Sequence, residues 1–220
     1  MSKYIELKNV SKIIGGNKIL HNINLSLNKG KVYGFNGHNG SGKTMLFRSI
    51  CGLIIPTTGE ITIEGKQIGK DISFPNSVGV LIEYPGFLPQ YSGLKNLKIL
   101  ASIKKQINEE QIHNAIKKVE LSPNDTRKYK KYSLGMKQRL GIAQAIMEDP
   151  KLLILDEPTN ALDKEGIEMV KNIINELKQQ SKTILIASHD YDFLKNISDE
   201  IFTMNKGNIE NHEITNSKIN

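Results

Sequence analysis

Gly37-His38-Asn39-Gly40-Ser41-Gly42-Lys43-Thr44 packs three glycines ahead of a lysine and a hydroxyl. The residues before it, Lys31-Val32-Tyr33-Gly34-Phe35, read as a strand, and Met45 to Cys51 after it read as a helix. The octapeptide therefore sits in the strand, loop, helix setting that a phosphate-binding loop requires. Glycines at 37, 40 and 42 let the backbone curl until successive N–H groups point inward and cradle polyphosphate oxygens. The helix that follows adds its positive end. Lys43 supplies a point charge for the β- and γ-phosphates, and the Thr44 hydroxyl suits the Mg²⁺ that accompanies them.

Working outward, the next informative run is Leu152-Leu153-Ile154-Leu155-Asp156-Glu157. An unbroken apolar run of this length fits a strand buried on both faces of a parallel sheet, and its acids then project at the carboxyl edge, where such sheets bind ligands. Asp156 is the expected Mg²⁺ partner beside a phosphate loop. Glu157 is placed to orient and deprotonate an attacking water. Thr183-Ile184-Leu185-Ile186-Ala187-Ser188-His189-Asp190 reads as a second buried strand, which brings His189 to the same edge as Glu157. Between them Pro158 to Asp163 is a turn, with Asp163 capping a helix that carries Ile167, Val170, Ile174 and Leu177 on one face. Upstream, Ser133 is a natural N-cap for a helix with Met136, Leu140, Ala143 and Met147 on one face. A hydroxyl and free N–H groups at a positive helix end are compatible with a second anion site and equally with an ordinary capped helix.

The remaining chain reads as scaffold. Residues 4 to 10 and 19 to 27 alternate apolar and polar around Gly15-Gly16-Asn17, and a further strand pair spans Gly59 to Ile68, so an antiparallel sheet is expected near the start. Leu94 to about Val119 has helical spacing broken near Asn108. Ile201 to Met204 and Asn208 to Glu210 form a last hairpin around Lys206-Gly207, and Asn211 to Asn220 reads as a frayed polar tail. With 220 residues and 38% apolar content the chain can bury one sizeable core. Met1-Ser2-Lys3-Tyr4 leads straight into strand-like sequence, and no apolar run approaches the ~20 residues of a membrane span, so a soluble intracellular protein is expected. The lone Cys51 reads as a small core residue, which argues against disulfides and redox chemistry. The net charge of +7 suits nucleic acid or an anionic membrane surface, but it is spread along the chain, clustering only at Arg127-Lys128-Tyr129-Lys130-Lys131, which a solvated face explains equally, so charge decides nothing.

In this order and spacing the motifs resemble those of the ATP-binding subunit of an ABC transporter along nearly the whole chain. Gly37 to Thr44 resembles the Walker A loop, Leu152 to Glu157 the Walker B strand with its glutamate, Asn160 to Asp163 the D-loop and His189 the switch histidine. The stretch from Ser133 is similar to the family's signature motif, with Ser133 and Gly135 kept and Leu134 and Met136 differing. Its Ser-Leu-Gly-Met form is similar to that of bacitracin and lantibiotic peptide exporters and related drug exporters. The family's Q-loop glutamine aligns with Glu83 in Val78 to Pro85, with Gln90 a decoy, and the adenine-stacking aromatic aligns with Ile14.

The resemblance implies an α/β fold: a P-loop ATPase core with a mainly parallel sheet (about 1–85 and 146–210), an N-terminal antiparallel β subdomain, an α-helical subdomain (about 86–145) and a polar tail (211–220). It implies ATP and Mg²⁺ as ligands, with Thr44, Asp156 and Glu83 at the metal, and Glu157 and His189 as the catalytic pair. It further implies a second ABC ATPase subunit, most simply another copy, whose Ser133 and Gly135 complete the site in trans. The motor is expected on the cytoplasmic face of the membrane, held by a separate permease subunit that docks near Glu83 and Tyr84, with no nucleic acid as partner. Two other classes share part of this pattern: a soluble ABC ATPase acting on ribosomes or nucleic acid, and a nucleotide switch without turnover. The single cassette without a coiled-coil insertion counts against the first, and the intact Glu157 and His189 against the second.

Overall fold

The alternating segments at the start form a hairpin, β1 (Lys3–Ile14) and β2 (Asn17–Asn28), closed by Gly15 and Gly16, both at positive φ. Such a two-residue turn matches the twist of its strands when both residues accept φ > 0, which glycine does without steric cost. A computed structural model of the protein describes residues 3–83 and 85–215. In it β4 (Thr58–Ile63) pairs with the other edge of β1, and the short β5 (Lys66–Gln67) extends the antiparallel sheet in the order β2-β1-β4-β5.

The second sheet holds β3 (Val32–Asn36), β6 (Val78–Leu81), β7 (Leu152–Asp156), β8 (Thr183–Ser188), β9 (Glu200–Asn205) and β10 (Asn208–Ile214), in the order β10-β9-β3-β8-β7-β6. Every neighbouring pair is parallel except β9 with β10. The uniform apolarity of β7 and β8 has a direct cause in their neighbours. Leu153 and Leu155 of β7 and Ile184 and Ile186 of β8 pack in one apolar cluster with side chains of the helices that follow β6, while Leu152, Ile154, Leu185 and Ala187 pack in a second with Leu46, Phe47 and Ile50 of the helix after β3 and with the antiparallel sheet. Neither face meets water, so polar residues are confined to the strand ends, where Thr183 Oγ1 accepts from Gly30 N and Asp156 accepts from Thr44.

The helices are α1 (Lys43–Ile50), α2 (Gly93–Lys104), α3 (Glu109–Lys118), α4 (Leu134–Ile146), α5 (Lys164–Gln179) and α6 (Tyr191–Ile197). The break between α2 and α3 has a chemical cause: Asn108 and Gln111 form a reciprocal capping box, satisfying two N–H groups that a helix start leaves open. Ser133 accepts from Met136 N and Asp163 from Gly166 N, so both expected caps are present. Cys51 is buried, and burial pushes its thiol up to about 12.

One expectation is corrected. The frayed segment expected from Asn211 is instead paired: Asn211 to Ile214 run antiparallel to Thr203 to Glu200. Its polar composition reflects an edge strand exposed along most of its length, not loss of structure. Residues 216–220, and Tyr84 of the expected docking region, lie outside the described residues. Among the described residues no helix is long and apolar enough to cross a membrane.

Candidate functional site

The phosphate loop leaves β3 at Asn36 and turns through Gly37, where a Cβ would stand 2.4 Å from the Met204 carbonyl and 2.6 Å from Ser41 Oγ. Only glycine fits there. The loop is braced from outside by the turn between β9 and β10: Gly207 N donates to Ser41 O at 2.8 Å, and His21 N of β2 donates to Gly207 O at 2.9 Å. Lys43, only 5% exposed, reaches back into the curl and donates to the carbonyl oxygens of Gly37 and His38. Its ammonium and the free N–H groups that open α1 both bring positive charge to this loop, which suits a polyphosphate.

The Thr44 hydroxyl donates to Asp156 Oδ2 at 2.6 Å, linking the first turn of α1 to the end of β7. Asp156 is 6% exposed, and its Oδ1 is buried without a hydrogen-bond partner. Burial is the main reason its carboxyl is held above the usual range, opposed by the Thr44 bond and reinforced by the charges of Glu157 and Glu83. A buried carboxylate oxygen left open beside a hydroxyl is a hard-oxygen donor set. It fits Mg²⁺, which takes one or two protein oxygens and completes its shell with water and phosphate. Among the described residues no three His, Cys, Asp or Glu side chains are grouped for a metal, so the protein alone supplies too few ligands for a closed site.

Glu157 stands at φ 49°, a left-handed conformation uncommon for a non-glycine residue, and it is pinned from both sides. Its N donates to Ala187 O at 2.9 Å, and its carbonyl accepts from Gln138 Nε2 at 3.0 Å. Its Oε2 lies 2.9 Å from His189 Nδ1, while Oε1 is 3.7 Å from Lys43 Nζ and has no hydrogen-bond partner. An ionised carboxylate only accepts, so in that state His189 Nδ1 carries the hydrogen. Two carboxylates, a lysine, a hydroxyl and an imidazole thus meet at the carboxyl edge of the sheet, as the buried runs of β7 and β8 imply.

A cleft of about 780 Å³ opens over these groups, lined by residues of the phosphate loop together with Thr44, Asp156, Glu157, Glu83, Asn160 and Ala161. His189 borders instead an adjoining cavity of about 240 Å³, with Gly37 and His38. Ser133 is exposed at the N-terminus of α4 and does not line the cleft, and Gly135 lies against the Ala161 carbonyl. Their neighbours Leu134, Lys137 and Gln138 do line it. Gln90 is exposed in the loop before α2, away from the cleft. Ile14 is 45% exposed at the end of β1, while Ile19 of β2 reaches the cleft. Sequence reasoning missed Gln138 and Ile19. Gln138 left no such signal, since it stands between Lys137 and Arg139 as one polar residue among three, and its partners are backbone carbonyls that no sequence names.

Comparison with known proteins adds an independent line. The family model described as ABC transporter matches residues 20–160. The chain is 48% identical over 209 residues to an uncharacterized ABC transporter ATP-binding protein of Bacillus subtilis, YybJ, covering 95% of this chain and 96% of that one. It is 38% identical to the bacitracin transport ATP-binding protein BcrA of Enterococcus faecalis, covering 95% and 68% of the two chains. It is also 38% identical to the lantibiotic transport ATP-binding protein SrtF of Streptococcus pyogenes, covering 93% and 88%. Among solved structures, the dimeric bacterial ABC transporter cassette MJ0796 superposes with a TM-score of 0.87 at 25% identity, covering 96% and 98%. The ADP conformation of the cassette MJ1267 does so with a TM-score of 0.80 at 26% identity, covering 97% and 92%.

Proposed function

This chain belongs to the ABC transporter family as an ATP-binding subunit, and from that premise we propose that its cleft hydrolyses Mg-ATP to drive a separate membrane-spanning permease. The observation that carries the reading is the Glu157 carboxylate, hydrogen-bonded to His189 on one side and facing Lys43 and the phosphate loop on the other. Thr44 and Asp156 would hold Mg²⁺, which when bound neutralises phosphate charge as it develops. The chain's own residues do the rest. Lys43 and the loop amides hold the β- and γ-phosphates and stabilise charge in a loose transition state. Glu157 orients water and takes its proton. His189 fixes the Glu157 carboxylate, and Gln138 and Ala187 hold the Glu157 backbone.

A second cassette, most simply another copy of this chain, presents Ser133 and Gly135 across the nucleotide. Their placement outside this chain's own cleft wall supports action in trans, and the dimeric cassette it resembles supports the pairing. Closure of the pair gates hydrolysis, and opening afterwards moves the permease. The motor then works on the cytoplasmic face of the membrane. Relatives named for bacitracin and lantibiotic transport support antimicrobial peptides or drugs as the cargo class, and they favour transport over a ribosomal or nucleic-acid role. Tagged protein extracted with its own membranes is expected to co-purify with an integral membrane subunit. Ribosomal proteins or DNA in its place would overturn the transport assignment.

The base is proposed to rest on aliphatic surface from Ile14 and Ile19. Apolar contact without ring stacking, and without hydrogen bonds that read the purine edge, discriminates weakly. ATP and GTP are therefore expected to compete within about threefold of each other, the loss of one stacking contact setting the scale. A preference for ATP above about tenfold would require a base-reading contact that this surface lacks.

A further inference from the structure

Arg48 lies one turn beyond Thr44 on α1, and residues four apart share a helix face. Its Nη2 is 2.8 Å from Glu83 Oε2. Glu83 leaves β6 at φ 58° and lines the cleft together with Thr44 and Asp156. Its side chain is 56% exposed and that of Arg48 33%, so both ends can move without opening the core. Asp156, by contrast, is buried and tied to Thr44. The movable acid at this end of the cleft is therefore held by a guanidinium rather than by the metal-side groups.

Resting on the assignment of the cleft to Mg-nucleotide, we propose that Arg48 is a positioning residue that governs whether Glu83 is available to the divalent cation. The ion pair and metal ligation compete for one carboxylate. A glutamine at 83 could not be held this way, because a neutral amide makes no ion pair with Arg48. The pair also ties the phosphate-binding helix to the segment after β6, so any nucleotide-metal complex that draws Glu83 inward releases that tie.

Binding of ATP to the full chain, measured by calorimetry with Mg²⁺ and again with EDTA, gives a ratio that reports how much the metal helps. Arg48→Gln is expected to raise that ratio about two- to fivefold, the range an exposed ion pair allows, because Glu83 is freed for the cation. In a Glu83→Gln background the same substitution is expected to leave the ratio unchanged. An equal rise in both backgrounds would mean that Arg48 acts only as a nearby charge, and no rise in either would mean that the pair does not compete with the metal; both overturn the proposal. Wild-type protein that binds no ATP under either condition would overturn the nucleotide assignment itself, a distinguishable failure. Should Arg48→Gln not fold, Arg48→Met carries the same comparison, since it keeps a long unbranched side chain on α1 and has no charge to hold the carboxylate.

Discussion

Glu157→Gln is expected to lower ATP turnover by at least about a hundredfold while ATP affinity changes little, the range over which a positioned general base contributes. Substitution by glutamine keeps the shape and the backbone contacts to Ala187 and Gln138 but removes the basic carboxylate oxygen that would take the proton. It also removes the negative charge 3.7 Å from Lys43, so phosphate binding should be held or slightly improved. Loss of turnover with binding retained is the signature of an interaction made in the transition state. His189→Ala should lower turnover by a smaller factor, and the double substitution should cost scarcely more than Glu157→Gln alone, because His189 acts through the carboxylate it holds. Single-turnover hydrolysis with purified protein checks all three. Glu157→Gln protein turning over within about tenfold of wild type would remove Glu157 from the role of base.

How far this site could be read from sequence depends on whether its parts are local. The phosphate loop is a contiguous octapeptide whose glycines answer to backbone shape, and β7 and β8 announce themselves through runs that are apolar on both faces. Thr44, Asp156, Glu157 and His189 follow because parallel strands deliver their ends to one edge. What could not be read is long-range and polar. Arg48 and Glu83 meet through α1 and the exit of β6, and Gln138 meets Glu157 through the packing of α4 on the sheet. The basic cluster at 127–131 also hides structure behind its charge. Arg127 pairs with Asp125, and Tyr129 turns inward against Phe87. Short elements escaped for a different reason: four residues of β6 with a glycine among them, and seven of α6, carry too little periodicity to recognise.

That glycine in β6 leads to the second large effect: Gly79→Ala is expected to destabilise the fold by about 3 kcal/mol, the upper part of the range for forcing atoms into a packed core. A Cβ at position 79 would stand 1.8 Å from the Ala145 carbonyl oxygen and 2.8 Å from both Ala145 C and Pro150 Cγ. The obstacle is helix backbone and a proline ring, neither of which can rotate aside, so α4 must retreat from β6 along its last turn. For a chain of this size the cost corresponds to a fall in Tm of roughly 6–12 °C. Gln138 lies about two turns earlier on the same helix and donates to the carbonyls of Glu157 and Pro158 at 3.0 and 3.1 Å, so the effect reaches the site only as far as the whole helix tilts. Gly86→Ala is the matched control, because a Cβ there meets nothing within 4 Å and no positive φ is disturbed. Thermal unfolding followed by circular dichroism compares the two. If Gly79→Ala melted within about 2 °C of wild type, a shift of about 1 kcal/mol or less, the close seating of α4 on β6 would not be what holds that helix against the sheet.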